Sequence, residues 1–309
     1  MAHPGQDRYP LRGVVVSLNT PYDDRGAVDL EALARLVDWH IGQGAVGFLA
    51  PAYAGEVYDL SFSERVDIYR CVRKASSGRA EFFAGATASE PETSRQAAVE
   101  ATRVGADGVL LEVPLDLKGH NHEILAYFRQ MAGIGMPTLM IQDWDWSGPG
   151  MDVSLVRELF ETIPAFRCLK VEVRPAGPKY TAVIEATGHR LHVSGGWAAD
   201  QMLESLDRGV DVIMPTAMTG LYRRVYDCWH RGERDEARAT FASILPVLAF
   251  TRQHIDVSIH FYKRLFHRLG IFPTARARRP AAVYDEYHER QGEWLMAYLE
   301  RTEADAGLR

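Results

Sequence analysis

Short apolar runs alternate with helical patterns along the first two thirds of the chain. Between the runs, apolar residues recur at helical spacing; in residues 29–44, one face is expected to carry Leu30, Leu33, Leu36, Val37 and Ile41. Several of these segments end in a glycine just before the next run, as helices that stop in the left-handed conformation do: Gly42 or Gly44, Gly105, Gly135 and Gly209. There are eight runs, at residues 13–18, 46–51, 81–86, 108–113, 138–142, 167–173, 191–195 and 210–215.

This alternation predicts a parallel β-sheet whose two faces are covered by helices. Eight repeated units favour a closed (β/α)8 barrel, the TIM barrel. An open doubly wound sheet is the alternative, but no phosphate-binding G-x-G-x-x-G pattern follows the first run.

After residue 215 the chain reads as helices, so we expect a tail over residues 1–10, a barrel over 11–230 and a C-terminal helical extension over 231–309. The apolar positions of this extension exceed what one helix layer on a barrel needs. They predict either packing among these helices or a subunit interface.

Composition narrows the classes of partner. The 309 residues are 47% hydrophobic and carry a formal net charge of −6, without a basic stripe, so we expect no nucleic acid partner. No run approaches the ~18 apolar residues of a membrane span, and the N-terminus lacks the apolar segment of a signal peptide. Three widely spaced cysteines form no metal or disulfide pattern. We therefore expect a cytoplasmic protein with a small-molecule substrate.

Lys170 lies inside the apolar run RCLKVEV, residues 167–173. A charged lysine is costly in such a strand, and two interpretations stay open. One is an ion pair with Glu172, which shares a strand face with Lys170. The other is a Schiff-base lysine, since desolvation lowers the pKa of an amine and frees the neutral nucleophile.

Further candidates follow other strands, at the end of the barrel where active sites lie. Gly55 and Glu56 form part of AYAGE (52–56), a turn whose backbone N–H groups suit a carboxylate. Carboxylates and indoles alternate in QDWDWSGPG (142–150), directly after the fifth run. Three more residues are candidates for substrate contact because glycines admit a ligand and a small polar side chain closes the last strand: Gly195, Gly196 and Thr216.

Taken in order, these segments resemble the dihydrodipicolinate synthase / N-acetylneuraminate lyase family of class I, pyruvate-type aldolases. The opening SLNTPYDDRGAVDLEALARLVDWHIGQGAVGFLAP resembles the start of the family. AYAGE matches the G-[ST]-[ST]-G-E loop of the family. The segment that contains its third and fourth strands is matched by EFFAGATASEPETSRQAAVEATRVGADGVLLEVP, and its lysine strand is matched by LKVEV. The resemblance extends over roughly residues 11–300.

The resemblance implies a TIM barrel that forms a homo-oligomer, a tetramer or a dimer. It implies an imine between Lys170 and a 2-oxo acid such as pyruvate, with no metal and no cofactor. It also implies that the substrate carboxylate is held by the loop that contains Tyr53, Ala54, Gly55 and Glu56.

The sequence departs from the family at three places. Tyr53 and Ala54 stand where the family has two hydroxyl residues, and we expect Tyr53 to line the site and to relay protons. No tyrosine occurs in VPLDLKGHNHE (113–123), where the synthases carry one. The catalytic tyrosine of strand 5 falls on Asp143 or Gln142, depending on loop length.

Asp143 is the candidate that replaces this tyrosine. A carboxylate enclosed beside indoles has its pKa raised towards that of a general acid/base at neutral pH. The alternative is that Asp143 points away and caps the following turn. Trp144 is expected at the pocket mouth, which suits a substrate with an apolar or aromatic portion.

The sequence therefore predicts a Schiff-base lyase or aldolase that acts on a 2-oxo acid with an aldehyde or related partner. A true dihydrodipicolinate synthase is disfavoured because Gly148 stands at the position of the arginine that binds a second carboxylate. The alternatives are a dehydratase of a sugar-derived 2-oxo acid and a non-catalytic, ligand-binding relative. A metal-dependent lyase rests only on the region of Asp116 and His120. The physiological substrate and the direction of the reaction do not follow from the sequence.

Overall fold

The structure is a computed structural model that describes residues 7–196, 199–278 and 283–308; most of the expected N-terminal tail, residues 1–6, lies outside the described residues. Eight parallel strands form a closed barrel in the order β1 to β8, which confirms the predicted TIM barrel. The strands are β1 (Gly13–Ser17), β2 (Gly47–Ala50), β3 (Glu81–Gly85), β4 (Gly108–Glu112), β5 (Leu139–Asp145), β6 (Phe166–Val173), β7 (His192–Gly195) and β8 (Val212–Ile213).

Helices connect successive strands and continue after the last one, as the sequence predicts. None of the described helices is long and apolar enough to cross a membrane. The helices are α1 (Leu30–Gly42), α2 (Phe62–Ser76), α3 (Pro91–Arg103), α4 (Asn121–Ala132), α5 (Val153–Thr162), α6 (Ala176–Ala186), α7 (Met202–Asp207), α8 (Thr219–His230), α9 (Arg234–Thr251), α10 (Ile255–Arg268) and α11 (Glu286–Asp305).

The chain divides into two compact units, each held together by its own packing. The first consists of residues 83–214 with the N-terminal segment up to Arg12, and β4 to β7 pair within it. The second consists of residues 13–82 and 215 onwards, in which β1 pairs with β2 and α9 packs on α8, α10 and α11. The predicted boundary at residue 230 stays a prediction.

Helix α1 shows how the apolar pattern selects a buried face. The Asp29 side chain accepts the Ala32 N–H at 2.9 Å and so caps the N-terminus of the helix. The predicted positions Leu33, Leu36 and Val37 are buried. Leu30 is 37% exposed and Ile41 is only half-buried, so only part of the predicted apolar face is buried.

The buried face of α1 is rotated because two other residues occupy it. Ala32 and His40 are fully buried, and His40 Nδ1 lies 2.8 Å from the Thr219 hydroxyl. At the other end, Gly44 has a φ of +88° and follows the helix as predicted. A positive φ also occurs at the other predicted helix-ending glycines, Gly105, Gly135 and Gly209.

Strand β5 is longer than its apolar run and reaches Asp145. It pairs with β6 in parallel register from Met140↔Cys168 to Asp145↔Val173. The ladder of hydrogen bonds therefore extends the strand into a segment whose glycine and proline predict a loop. Because this segment is a strand, the side chains of residues 142–145 point alternately to the two faces of the barrel wall.

Candidate active site

The register of β5, β6 and β7 determines which side chains accompany Lys170. Lys170 is aligned with Gln142 on one side and with Ser194 on the other. Successive side chains of a strand point to opposite faces, so Gln142, Lys170 and Glu172 share one face. Asp143 belongs to the opposite face of the same sheet.

The contacts of Asp143 show which strand face points to the barrel interior and which points to the helices. Its Oδ2 lies 3.1 Å from Nζ of Lys179, a residue of α6. The helices of a TIM barrel form its outer ring, so Asp143 faces outwards. Gln142, Lys170 and Glu172 therefore face the interior of the barrel.

These three inward side chains form a buried group, the Lys170 cluster (Gln142, Lys170 and Glu172). Lys170 Nζ lies 3.1 Å from Glu172 Oε1, and Gln142 Nε2 donates a hydrogen bond to Glu172 Oε2. The exposed fractions are 2% for Gln142, 4% for Lys170 and 9% for Glu172. A buried ion pair is tolerated when both charges are paired and hydrogen-bonded, which is the arrangement here. The ion pair that the sequence left open is thus present, and it places a carboxylate beside the candidate nucleophile.

Gln142 retains hydrogen-bonding capacity towards the barrel interior. Its carbonyl Oε1 is buried and accepts no hydrogen bond from the part of the chain that the structure describes. A buried acceptor of this kind is normally satisfied by a protein group, water or ligand. Gln142 therefore offers an acceptor to a donor on a bound molecule.

The two glycines that follow β7 have different surroundings. A Cβ on Gly196 would overlap the Glu172 carboxylate, so only glycine leaves room for Glu172 in its observed position. A Cβ on Gly195 would instead lie 3.1 Å from the Tyr180 hydroxyl of α6. Gly196 thus borders the Lys170 cluster, whereas Gly195 adjoins the helical layer.

Asp143 is held by the loop that follows β5. Its Oδ1 accepts the Met151 N–H at 2.9 Å, and its partner Lys179 also donates to the carbonyl of Pro149 at 2.9 Å. Desolvation raises the pKa of Asp143, against the opposing effect of Lys179. The geometry matches the interpretation that Asp143 caps the following turn, and the register places Gln142, not Asp143, beside Lys170.

Trp144 and Trp146 form an aromatic pair at the end of β5, with ring centroids 5.4 Å apart. The Lys118 ammonium lies 4.7 Å from the centroid of the Trp144 ring. Trp144 and Asp143 both line a cleft of about 100 Å³, which the carboxylate of Asp145 also borders. Trp144 therefore lines a cleft of the first unit, and Trp146 packs against Trp144.

The 53–56 turn belongs to the second unit and is tightly held. Asn19 Nδ2 donates to the Ala54 carbonyl at 2.5 Å, and the Thr20 hydroxyl donates to the Gly55 carbonyl at 2.7 Å. A Cβ on Gly55 would come within 2.8 Å of the Leu18 carbonyl oxygen, so this close approach requires glycine. The turn has the rigidity that a backbone anion site needs.

Glu56 is bound by partners from the C-terminal helices and the segment after them. Its Oε2 forms an ion pair with Lys263 of α10, and its Oε1 accepts the Arg278 backbone N–H at 2.6 Å. Lys263 is fully buried and also lies over the Tyr22 ring, 4.1 Å from its centroid. Both carboxylate oxygens of Glu56 are thus engaged within the protein, so the geometry differs from the substrate contact that the sequence predicts.

Tyr53 and Thr216 also belong to the second unit. The Tyr53 ring lies 5.3 Å from that of Tyr58, and both line a groove of about 240 Å³ beside Ile259 and His260 of α10. Thr216 is half-buried after β8, next to Pro215, whose carbonyl accepts a backbone N–H of β1 at 2.8 Å. Their contact with substrate stays a prediction.

The sequence left Gln142 and Asp143 open at the position of the strand-5 tyrosine, favoured Asp143 for proton transfer, and assigned Glu172 only an ion pair. The sequence could have identified Glu172, because positions i and i+2 of a strand share a face and Glu172 is two residues after Lys170. It could not have selected Gln142, whose face depends on the register with β6. Among the described residues, no three His, Cys, Asp or Glu side chains come together as metal ligands would.

Comparison with known proteins gives consistent matches. Residues 10–298 match the sequence model of the dihydrodipicolinate synthetase family. A 4-hydroxy-tetrahydrodipicolinate synthase of Pelobacter propionicus is 27% identical over 242 residues, which cover 77% of this chain and 82% of that protein. An uncharacterized DapA-like lyase of Rhizobium meliloti is 29% identical over 152 residues, which are 49% of this chain and 51% of that one. That alignment spans about half the length of each protein.

Solved structures share the fold. Dihydrodipicolinate synthase of Rhodopseudomonas palustris superposes with a TM-score of 0.86 at 22% identity, covering 93% of this chain and 97% of that one. YagE, a prophage protein of the dihydrodipicolinic acid synthase family from Escherichia coli K12 solved in complex with pyruvate, gives a TM-score of 0.84 at 20% identity. It covers 94% of this chain and 99% of its own. At these identities the likeness is one of architecture.

Proposed function

Because the chain belongs to the dihydrodipicolinate synthetase family, we propose that it is a Schiff-base lyase or aldolase in which Lys170 condenses with a 2-oxo acid. The observation that carries the proposal is the position of Lys170 on the inner face of β6, buried and 3.1 Å from a carboxylate. Pyruvate is the first acid to test, because YagE, which shares the fold, was solved with it.

The chemistry requires a neutral amine. An unprotonated Lys170 attacks the keto carbon of the acid, and loss of water gives a cationic imine that accepts an electron pair from C3. Transfer of one proton from Lys170 to Glu172 removes both charges of the pair at once. The buried pair thus supplies the nucleophile without a base from solvent. Glu172 returns this proton as water leaves, so the cationic imine forms beside a carboxylate.

We keep the 53–56 turn as the proposed site for the substrate carboxylate, through its backbone N–H groups. Asn19 and Thr20 hold the turn in place, which preorganises those groups. Glu56 supports the turn through Lys263 and does not itself bind substrate in this proposal.

We expect a reaction other than that of 4-hydroxy-tetrahydrodipicolinate synthase. The resemblance places the family's strand-5 tyrosine on Gln142 or Asp143, neither of which carries a phenol, and Gln142 is the one aligned with Lys170. It places the arginine for a second carboxylate on Gly148. A dehydratase uses the same imine and stays the alternative. Release of an aldehyde, rather than of water alone, distinguishes cleavage from dehydration.

The proposal is tested by trapping the imine. Pyruvate and borohydride are added to the protein, and the tryptic peptides are analysed by mass spectrometry. A reduced adduct on Lys170 blocks cleavage there, so we expect a single modified peptide over residues 168–179. An adduct on Lys179 would instead block cleavage after residue 179 and give a modified peptide over residues 171–190, so the peptide masses distinguish the two lysines.

Two variants complete this test. Lys170→Ala is expected to abolish both the adduct and any turnover of a 2-oxo acid. Lys179→Met should retain the adduct, because Lys179 lies on α6 and contacts Asp143 and the loop after β5. An adduct that persists in Lys170→Ala would assign the chemistry to another amine. Turnover that depends on Lys170 would eliminate the non-catalytic alternative.

We also propose a cytoplasmic location, which the composition led us to expect, and a homo-oligomer, which the resemblance implies. Tyr53, Trp144, Gly195 and Thr216 also remain proposed contacts or relays, to be tested by substitution once a substrate is identified.

A further inference from the structure

Glu172 is the ionisable group that lies closest to the amine of Lys170 in the described part of the first unit. We infer that Glu172 moves the protons at C3 of the bound 2-oxo acid, the task for which the resembling family uses a tyrosine of strand 5. The inference rests on the proposed function, since it requires the imine on Lys170. It assigns a catalytic role to a residue that the sequence treated only as an ion-pair partner.

The distance between Glu172 and Lys170 suits this role. Glu172 Oε1 lies 3.1 Å from Lys170 Nζ, the atom that becomes the imine nitrogen. In the imine, the former keto carbon is one bond from this nitrogen and C3 is two bonds away. An oxygen in hydrogen-bond contact with the nitrogen is therefore within reach of a proton on C3.

Two other residues position the Glu172 carboxylate. Gln142 Nε2 donates to Oε2, which leaves Oε1 directed at Lys170. Gly196 provides the space that the carboxylate fills. Gln142 is thus a positioning residue: it orients Glu172 through a hydrogen bond and is aligned with Lys170 by the β5–β6 register.

Asp143, the other buried carboxylate of this region, is held by contacts away from Lys170. Its Oδ2 faces Lys179 and its Oδ1 accepts the Met151 N–H. Both contacts lie on the outer side of the strand pair. Asp143 would have to leave them to reach the face that carries Lys170.

Proton transfer from C3 to Glu172 leaves no net charge on the two partners. The C3 proton moves to Glu172 Oε1, the electron pair of the C3–H bond forms the C2=C3 bond, and the imine π pair moves to nitrogen. The product is a neutral enamine beside a neutral carboxylic acid. Return of the proton regenerates the imine, so repeated cycles exchange the C3 hydrogens with solvent.

The same group serves cleavage of a 4-hydroxy-2-oxo acid. Glu172 takes the proton of the C4 hydroxyl, the C3–C4 bond breaks, and its electron pair enters the enamine as an aldehyde leaves. Glu172 then returns the proton to C3. One acid/base group on the inner face thus suffices for both halves of the reaction.

The test measures hydrogen exchange at the pyruvate methyl group in D₂O by proton NMR. We expect the wild-type protein to exchange these hydrogens. Glu172→Gln keeps the size of the side chain but has no proton to move. It should still form the borohydride-trapped adduct on Lys170, more slowly because the amine then loses its proton to water, while exchange per adduct formed falls by roughly 10²- to 10⁴-fold.

Asp143→Asn and Asp211→Asn are the matched comparisons. Asp143 is a buried, lysine-paired carboxylate, and Asp211 is a buried carboxylate that Arg8 and Arg12 contact at 2.8 and 3.0 Å. If Asp143→Asn loses exchange and Glu172→Gln retains it, Asp143 is the proton carrier and the inference is overturned. Asp211→Asn reports the loss of activity that follows from destabilisation alone.

A second variant covers the case in which Glu172→Gln fails to fold or to form the imine. Glu172→Asp retains the carboxylate but withdraws it by about 1.5 Å, one carbon–carbon bond. We expect an intact adduct with slower exchange, and a wild-type exchange rate would overturn the inference. Absence of an adduct in the wild-type protein would instead refute the proposed function itself.

The positioning role of Gln142 has its own readout. Gln142→Ala is expected to keep the adduct and to slow exchange, because Glu172 loses the donor that orients it. Gln142→Asn, which retains an amide, should restore part of the rate. Equal rates in Gln142→Ala and the wild-type protein would remove Gln142 from the mechanism.

Discussion

Two buried carboxylate–lysine pairs occupy opposite faces of the same pair of strands. Lys170 and Glu172 face the barrel interior, while Asp143 faces Lys179 of α6. The residue types are alike, but only the inner pair includes Lys170, the proposed nucleophile. At the scale of the residue, the face of the strand distinguishes the proposed catalytic carboxylate from the one that caps a turn.

Gly196 tests this distinction without changing any charged group. In Gly196→Ala the new methyl group would overlap the Glu172 carboxylate, which must turn away from Lys170. We expect pyruvate methyl exchange to fall by about one to two orders of magnitude while the Lys170 adduct still forms. The two quantities are measured by NMR and by mass spectrometry.

Gly42→Ala is the control for this substitution, because no heavy atom lies within 4 Å of a Cβ built at Gly42. It adds the same methyl group at the end of α1 and should leave exchange unchanged. If Gly196→Ala exchanges as fast as Gly42→Ala, the position of Glu172 is not what determines the rate.

At the scale of the element, α10 holds the 53–56 turn through one buried ion pair. Lys263 contacts Glu56 and donates to the Arg276 carbonyl at 3.0 Å, so the turn and the segment after α10 share one ammonium group. Burial lowers the pKa of Lys263 to about 8. Folding and the protonation of this lysine are therefore linked.

The linkage predicts how stability depends on pH. The pKa of Lys263 is about 8 in the folded protein and 10.5 as its unperturbed value, so between these values the unfolded chain binds the proton more tightly. Lys263 by itself should therefore raise the free energy of unfolding with pH across this interval, by up to about 3 kcal/mol. Urea unfolding at a series of pH values measures this slope.

The control removes both charges together. The double variant Glu56→Gln, Lys263→Met has no ion at this pair. Its free energy of unfolding should therefore rise less with pH above pH 8 than that of the wild-type protein. Lys263→Met alone strands the Glu56 carboxylate and is expected to cost about 3–5 kcal/mol. Identical slopes in the wild-type protein and the double variant would show that Lys263 is not the group responsible.

At the scale of the whole molecule, the closed barrel and the C-terminal helices agree with the family to which the chain belongs. The structure leaves large apolar side chains exposed on α11, with Trp294 54% and Tyr287 62% accessible in the single chain. Exposure on this scale is common at surfaces that meet another protein. It agrees with the subunit interface that the composition of these helices suggested.

The corresponding prediction concerns mass in solution. Each chain is 34.6 kDa, and we expect a homo-oligomer, a tetramer or a dimer, in sedimentation velocity at micromolar concentration. Family membership is the reason for this expectation. A species with the mass of one chain over the whole concentration range would contradict it.

The sequence by itself determined the barrel, the order of its strands and the place of Lys170. Each strand is an apolar run of its own, each helix between them is marked by local periodicity, and several end in a glycine, so these features need no knowledge of distant residues. Local pattern failed at Leu30 and Ile41, because packing of Ala32 and His40 rotates α1.

Only the tertiary structure decided which residue stands beside Lys170. Counting along the chain left Gln142 and Asp143 equivalent, since a one-residue change in loop length exchanges them. Hydrogen bonding between β5 and β6 aligns Gln142 with Lys170, and a strand has a period of two, so Asp143 must face the helices. The same holds for Glu56, whose partner Lys263 is 207 residues away in the chain and becomes its neighbour only in the fold.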